Sequence, residues 1–158
     1  MSTWSCPSCQ QALCETDMSW LCASGHTFDK AKEGYVNLLL AQSKRSKSPG
    51  DSKEMIVARR EFLQRGFYQP LAKKIAELIQ TYALQKPVVK MFDAGCGEGY
   101  YLNSIKQSLL ASRSGMIESV ASSGCDISKA GVQKAAKSYS DSQFCVASTF
   151  NLPLPDAN

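Results

Sequence analysis

The chain has 158 residues, 44% of them hydrophobic, and a formal net charge of +4, which is length for one ordinary domain or two small ones and apolar content for a packed core. No apolar run approaches a membrane span, and the first ten residues lack the charged start and apolar stretch of a signal peptide, so a cytoplasmic protein is expected. Seven cysteines in such a chain argue against a disulfide scaffold and for metal binding or plain burial.

The charge is unevenly spread. Residues 1–29 carry three acids and no Lys or Arg, residues 30–90 carry 13 basic and 5 acidic residues, and residues 91–158 carry 5 basic and 6 acidic residues. The segments are therefore −3, +8 and −1. The basic middle could meet phosphates or could be a solvated helical surface.

Cys6-Pro7-Ser8-Cys9 is followed, after a 12-residue gap, by Cys22-Ala23-Ser24-Gly25-His26, which holds the sole histidine. Zinc takes four tetrahedral N/S ligands, and two short knuckles joined by a hairpin-length spacer can supply them. Gly25 permits a tight second turn, and the Leu13 to Leu21 stretch is long enough for a small β-hairpin. Cys6, Cys9, Cys22 and His26 are thus expected to bind a structural Zn2+, with Cys14 a bystander. Four protein ligands leave no open position for catalysis.

Beyond this module Lys44, Arg45 and Lys47 form a basic patch, and Pro49-Gly50 makes a turn. Asp51 is expected to cap a helix, with Glu54 completing a capping box. That helix would bury Met55, Ala58, Phe62 and Leu63 and end near Gly66. A second helix is predicted from Pro70, with Leu71, Ile75, Leu78, Ile79 and Tyr82 as its apolar stripe and Pro87 preventing continuation. Tyr68, in the break between them, is the residue here least readily assigned to packing alone.

"VVKMFDAGCGEGYY" predicts a strand over 88–92 closed by Asp93, then Gly95, Gly97 and Gly99, then a helix over 101–110. Strand, glycine turn and helix open a doubly wound α/β fold, in which ligands bind at the carboxyl ends of the strands. A dinucleotide fingerprint counted from Gly95 would need glycine where Tyr100 stands. An acid followed by alternating glycines instead suits S-adenosyl-L-methionine, which has no phosphate. Its methionine portion needs close backbone approach, and Asp93 could accept from its ammonium group.

A second strand from Ser119 ends at Asp126, an acid placed to accept both ribose hydroxyls. A helix over 129–139 and a third strand at 143–148 follow, and Ser148 falls where many methyltransferases place an acid that contacts the adenine amine. "NLPLPD" comes next.

"CPSC", "GHTFDKAKEGYVNLL", "KRSKSPGDS", "ARREFL", "YQPL", "DAGCGEGYY" and "FCVAS" together resemble the bacterial 23S ribosomal RNA (guanine-N1)-methyltransferases, from Cys6 to the last residue. The resemblance implies an α/β fold with three parts. These are a zinc ribbon for RNA recognition at 1–37, a basic helical connector at 38–86, and at 87–158 the first half of a Rossmann-like class I S-adenosyl-L-methionine-dependent methyltransferase domain.

It implies a 23S rRNA hairpin as partner and no membrane, and it leaves a homodimer open. Tyr68, Gly97 and Glu98 match family positions near the cofactor, and Ser148 departs from the superfamily's acid but agrees with this family. A full methyltransferase sheet needs four more strands. The chain is therefore expected to be the amino-terminal part of a longer protein, with little activity alone and no identified catalytic base. Two other readings remain: a small-molecule methyltransferase, and a zinc-ribbon nucleic-acid-binding protein whose second half is only scaffold.

Overall fold

The computed structural model describes residues 3–44, 46–83, 87–111 and 117–155. Arg45 of the basic patch and Asp156 of "NLPLPD" lie outside the described residues.

The amino-terminal module is a three-stranded antiparallel sheet of β1 (Leu13–Glu15), β2 (Ser19–Cys22) and β3 (Thr27–Asp29), in that order. The expected hairpin is its first two strands, with Glu15 opposite Trp20. The second sheet is parallel and contains β4 (Val36–Asn37), β5 (Val88–Ala94), β6 (Ser119–Asp126) and β7 (Gln143–Val146), ordered β4-β7-β6-β5. β4 pairs Val36 with Cys145 and Asn37 with Val146, so the segment that leaves the ribbon becomes an edge strand of the second sheet. A strand of two residues has no periodicity to read, and none was expected there.

The helices are α1 (Lys53–Gln64), α2 (Gln69–Ala83), α3 (Tyr100–Leu110) and α4 (Lys129–Ser138). The cap of α1 differs from expectation by one residue. Ser52, not Asp51, accepts from the Met55 amide at 3.3 Å. Its hydroxyl also donates to Glu54 at 2.7 Å, while the Asp51 carboxylate holds Arg59 at 2.7 Å.

The buried face is also shifted. α1 buries Ile56 and Leu63, while Met55 and Phe62 are exposed. α2 buries Ala72 and Ala76 and partly buries Ile75 and Ile79, leaving Leu71, Leu78 and Tyr82 exposed. The predicted stripe rests on the helical spacing of large apolar residues. The close contact with α3 and the sheet, against Ile105, Leu109, Val89 and Val120, instead selects small residues.

Along the sheet, side chains alternate between two layers, as strand geometry requires. Val89, Val120, Phe144 and Val146 face the helices. Phe92, Cys125, Cys145 and Ala147 face the ribbon, where they pack with Trp4, Leu13, Trp20 and Val36. The ribbon therefore occupies the layer that helices fill in a doubly wound sheet. Among the described residues no helix is long and apolar enough to cross a membrane.

Candidate functional site

The first knuckle is a turn closed by the Cys6 amide donating to the Gln11 carbonyl and the Gln10 amide to the Cys6 carbonyl. The second is closed by the Cys22 amide donating to the His26 carbonyl and the Gly25 amide to the Cys22 carbonyl, with Gly25 at φ 83°. These turns bring the four candidate ligand atoms of Cys6, Cys9, Cys22 and His26 within 4.8 Å of one another. The Sγ atoms of Cys9 and Cys22 are 3.6 Å apart. His26 Nδ1 lies 3.3 Å from Cys22 Sγ and 3.6 Å from Cys6 Sγ.

A tetrahedron with ordinary Zn–S and Zn–N bonds has edges of about 3.5–3.8 Å, so the cluster fits that ion with Nδ1 as its nitrogen ligand. A backbone hydrogen bond at Gln11 holds the Cys9 thiol below its ordinary pKa, which favours the ligating thiolate. Cys14 is exposed on β1 and outside the cluster.

The second candidate site lies where β5 and β6 end. The amides of Gly95 and Cys96 both donate to the Cys125 carbonyl, at 2.8 and 2.9 Å, and so pin the loop to β6. The Gly97 amide donates to Asp126 Oδ2 at 2.9 Å, and the Ser128 amide donates to Oδ1 at 2.7 Å. Asp126 thus holds the glycine loop and the start of α4 at once. Each of its oxygens keeps a further lone pair for a ligand. Asp93 is partly buried beside it, and its carboxyl pKa is raised by burial and by the Asp126 charge.

The glycines divide by what surrounds them. A Cβ at Gly95 or Gly97 would meet nothing within 4 Å, and both residues have positive φ, so the loop is bare on its open side. Gly99, by contrast, is pressed against Tyr139 and Ala135.

Glu98 is buried and its carboxylate bonds Arg60 at 2.5 Å; Arg60 also donates to Ser138 at 3.2 Å. Burial raises the Glu98 pKa and Arg60 opposes the shift. The side chain of Glu98 is therefore committed to joining α1, the loop and α4. Tyr68 packs edge-on against Phe62 at 5.8 Å and Tyr101 at 6.4 Å, which places it over the start of α3 beyond the glycine loop. Ser148 follows Ala147, whose amide donates to the Asp126 carbonyl at 3.1 Å. Its hydroxyl accepts from the Phe150 amide at 3.2 Å.

Two residues of the site were not foreseen. Arg60 sits in "ARREFL", where nothing in the spacing pairs it with Glu98. Ser128 caps α4 by accepting from the Gly131 amide at 3.2 Å, and a serine just before a helical run is a readable capping signal.

The family model described as "RlmA, N-terminal", a zinc ribbon, matches residues 4–47. The chain is 33% identical over 98% of its length to the Bacillus subtilis protein named "Putative 23S rRNA (guanine-N(1)-)-methyltransferase YxjB", covering 53% of that protein. It is 32% identical over 96% of its length to the 23S rRNA (guanine(748)-N(1))-methyltransferase of Streptomyces fradiae, covering 50%. It is 31% identical over 96% of its length to a Micromonospora griseorubida protein, covering 54%; that protein's name is the Bacillus one without "YxjB". The chain thus spans about half the length of the curated relatives it matches. The similarity to proteins bearing these 23S rRNA (guanine-N1)-methyltransferase names extends over 96% or more of the sequence.

Proposed function

We propose that this chain forms the methyl-donor site and an RNA-recognising zinc ribbon of a 23S rRNA (guanine-N1)-methyltransferase. In this reading the ribbon ends before Val36–Asn37, which join the second sheet, 38–86 is the connector, and 87–158 the part of the methyltransferase domain that holds S-adenosyl-L-methionine. The carrying observation is the bare face of Gly95 and Gly97, set between the carboxylates of Asp93 and Asp126 at the strand ends. That arrangement suits a ligand with an ammonium group and a ribose, because it offers acceptors and close backbone approach without a phosphate cradle.

Bound S-adenosyl-L-methionine supplies an electrophilic methyl group. Asp93 accepts from its ammonium group, and the remaining lone pairs of Asp126 accept from the ribose hydroxyls. Gly95, Gly97 and Gly99 shape the loop, while Glu98 supports it through Arg60. Tyr68 would border the site, and Ser148 would face the adenine amine. Cys6, Cys9, Cys22 and His26 hold Zn2+ as a structural ion.

Transfer depends on orienting the guanine nitrogen against the methyl carbon. An rRNA hairpin as acceptor and a cytoplasmic location belong to the same proposal, which leaves a homodimer open.

Titration calorimetry with S-adenosyl-L-methionine tests the donor site. Binding by the wild type and its loss in Asp126→Ala support it; no binding by the wild type refutes it. In an assay with labelled donor, label entering a small molecule but no rRNA would favour the small-molecule reading.

A further inference from the structure

We propose that the groove between residues 46–54 and the start of α4 is a seat for the phosphodiester backbone of RNA, a reading that rests on the rRNA assignment above. The groove encloses about 640 Å³. Lys44, Lys47, Lys53 and Lys129 line it. None of these lysines has a carboxylate within ion-pair distance among the described residues.

Two acids also line the groove. Asp51 is paired with Arg59 at 2.7 Å, and Glu54 accepts from the Ser52 hydroxyl. Helix stability does not explain the lysines either. Lys53 and Lys129 stand first in α1 and α4, where the macrodipole disfavours a cation, and α4 has no acid in its first turn to offset it. Four lysines thus outnumber the groove's two acids, of which Asp51 is paired with Arg59 and Glu54 lies beside Lys53; that excess of positive charge fits a polyanion, and phosphate oxygens are the groups that lysine meets on nucleic acid.

The groove is built rather than incidental. The Ser128 hydroxyl donates to the Asp51 carbonyl at 2.7 Å. A Cβ on Gly50 would stand 2.8 Å from Ser128, so the backbone at Gly50 lies directly on the α4 cap. It also adjoins the donor site. Asp126 binds Gly97 and Ser128 together, and a Cβ on Gly131 would approach the Gly97 carbonyl at 2.9 Å. A strand lying in this groove would pass within one helical turn of the glycine loop. That is where an acceptor nucleotide must be delivered.

Filter binding of a 23S rRNA hairpin to the full 158-residue chain, at about 50–200 mM salt, tests this. The groove variant is Lys44→Gln/Lys47→Gln/Lys129→Gln. The charge-matched control is Lys32→Gln/Lys73→Gln/Lys74→Gln, whose lysines lie elsewhere. S-adenosyl-L-methionine binding is measured on all proteins in parallel. The groove variant should bind RNA at least about tenfold more weakly, with a log–log salt slope shallower by about 2–3, while the control and all donor affinities change little.

Equal weakening in both variants, or unchanged binding in the groove variant, overturns the groove and leaves the rRNA assignment standing. Loss of donor binding in the groove variant makes the groove part of the donor pocket and also overturns the proposal. If the wild type binds the donor but not RNA, the groove and the rRNA substrate fall together while the donor site stands.

Discussion

Glycines in and around the loop do opposite jobs, and substitution should separate them. A Cβ at Gly124 would stand 2.9 Å from Cys96 Cβ. Gly124→Ala is therefore expected to destabilise the fold by about 1–3 kcal/mol through overpacking, seen as a lower urea midpoint with donor affinity largely kept. At Gly97 the added methyl has room, but it would stand on the loop's bare side and φ is +54°. Gly97→Ala should cost only about 1–2 kcal/mol in stability yet weaken S-adenosyl-L-methionine binding by more than tenfold, about 1.4 kcal/mol or more.

Asp93 makes the pH prediction. Its pKa in the folded protein is raised by burial and by Asp126, so the charged form is the one folding disfavours. The stability cost is absent below its unfolded pKa and grows as pH rises through the folded pKa. An ammonium partner reverses that preference, so donor affinity should fall as pH drops through the raised value and level off above it. Asp93→Asn should bind weakly with a flatter profile over that range. A wild-type affinity independent of pH there would remove Asp93 from the site. The clustering of Cys6, Cys9, Cys22 and His26 and the placement of Asp93 and Asp126 at neighbouring strand ends were legible because short spacings carry both. The packing role of Gly124 was not, because it depends on Cys96, in the glycine loop after the neighbouring β5, packing against it.

At the level of elements, α1 is locked to the loop by Arg60 and Glu98. Glu98 is nearly fully buried at 2% side-chain exposure, whereas Arg60 keeps 22%. Removing the cation leaves a buried carboxylate unpaired, so Arg60→Ala is expected to cost roughly 3 kcal/mol at neutral pH. The loss should shrink in acid, where Glu98, its pKa already raised by burial, takes up a proton. Replacing both partners, as Arg60→Met with Glu98→Gln, should recover most of the stability. A urea series on the three proteins decides this, and an Arg60→Ala loss below about 0.5 kcal/mol would mean the pair is merely a surface contact.

The helices themselves were read correctly in kind and in rough extent. Their buried faces were not, because Ala72 and Ala76 pack where bulkier Leu71 and Leu78 were expected. Periodicity marks a stripe, but the closeness of the neighbouring helix chooses which side of it is pressed inward. The parallel strands β5, β6 and β7 were visible as short apolar runs with turn signals. β4 became a strand only because β7 offers it an open edge.

The whole molecule is a sheet with helices on one face and a metal-held ribbon on the other, which makes the ion important beyond its own module. The two tryptophans of the chain are Trp4 and Trp20, and they are 1% and 4% exposed in the cluster that covers Cys125 and Cys145. The ribbon has little core of its own, and structural zinc sites of this type supply on the order of 10 kcal/mol of folding free energy. Chelation should therefore release both tryptophans to solvent and uncover the second face of the sheet. It should also loosen the Cys125 carbonyl that anchors Gly95 and Cys96.

The expected result has three linked parts. Stripping one equivalent of zinc red-shifts tryptophan emission, lowers the thermal midpoint of the helical signal by at least about 10 °C, and weakens S-adenosyl-L-methionine binding. Cys9→Ala should reproduce all three without chelator, since Cys9 is a ligand but only partly buried. Should emission shift while the helical midpoint and donor affinity stay put, the ribbon would be an independent appendage. The parallel sheet would then be stable with that face uncovered, against what its packing implies.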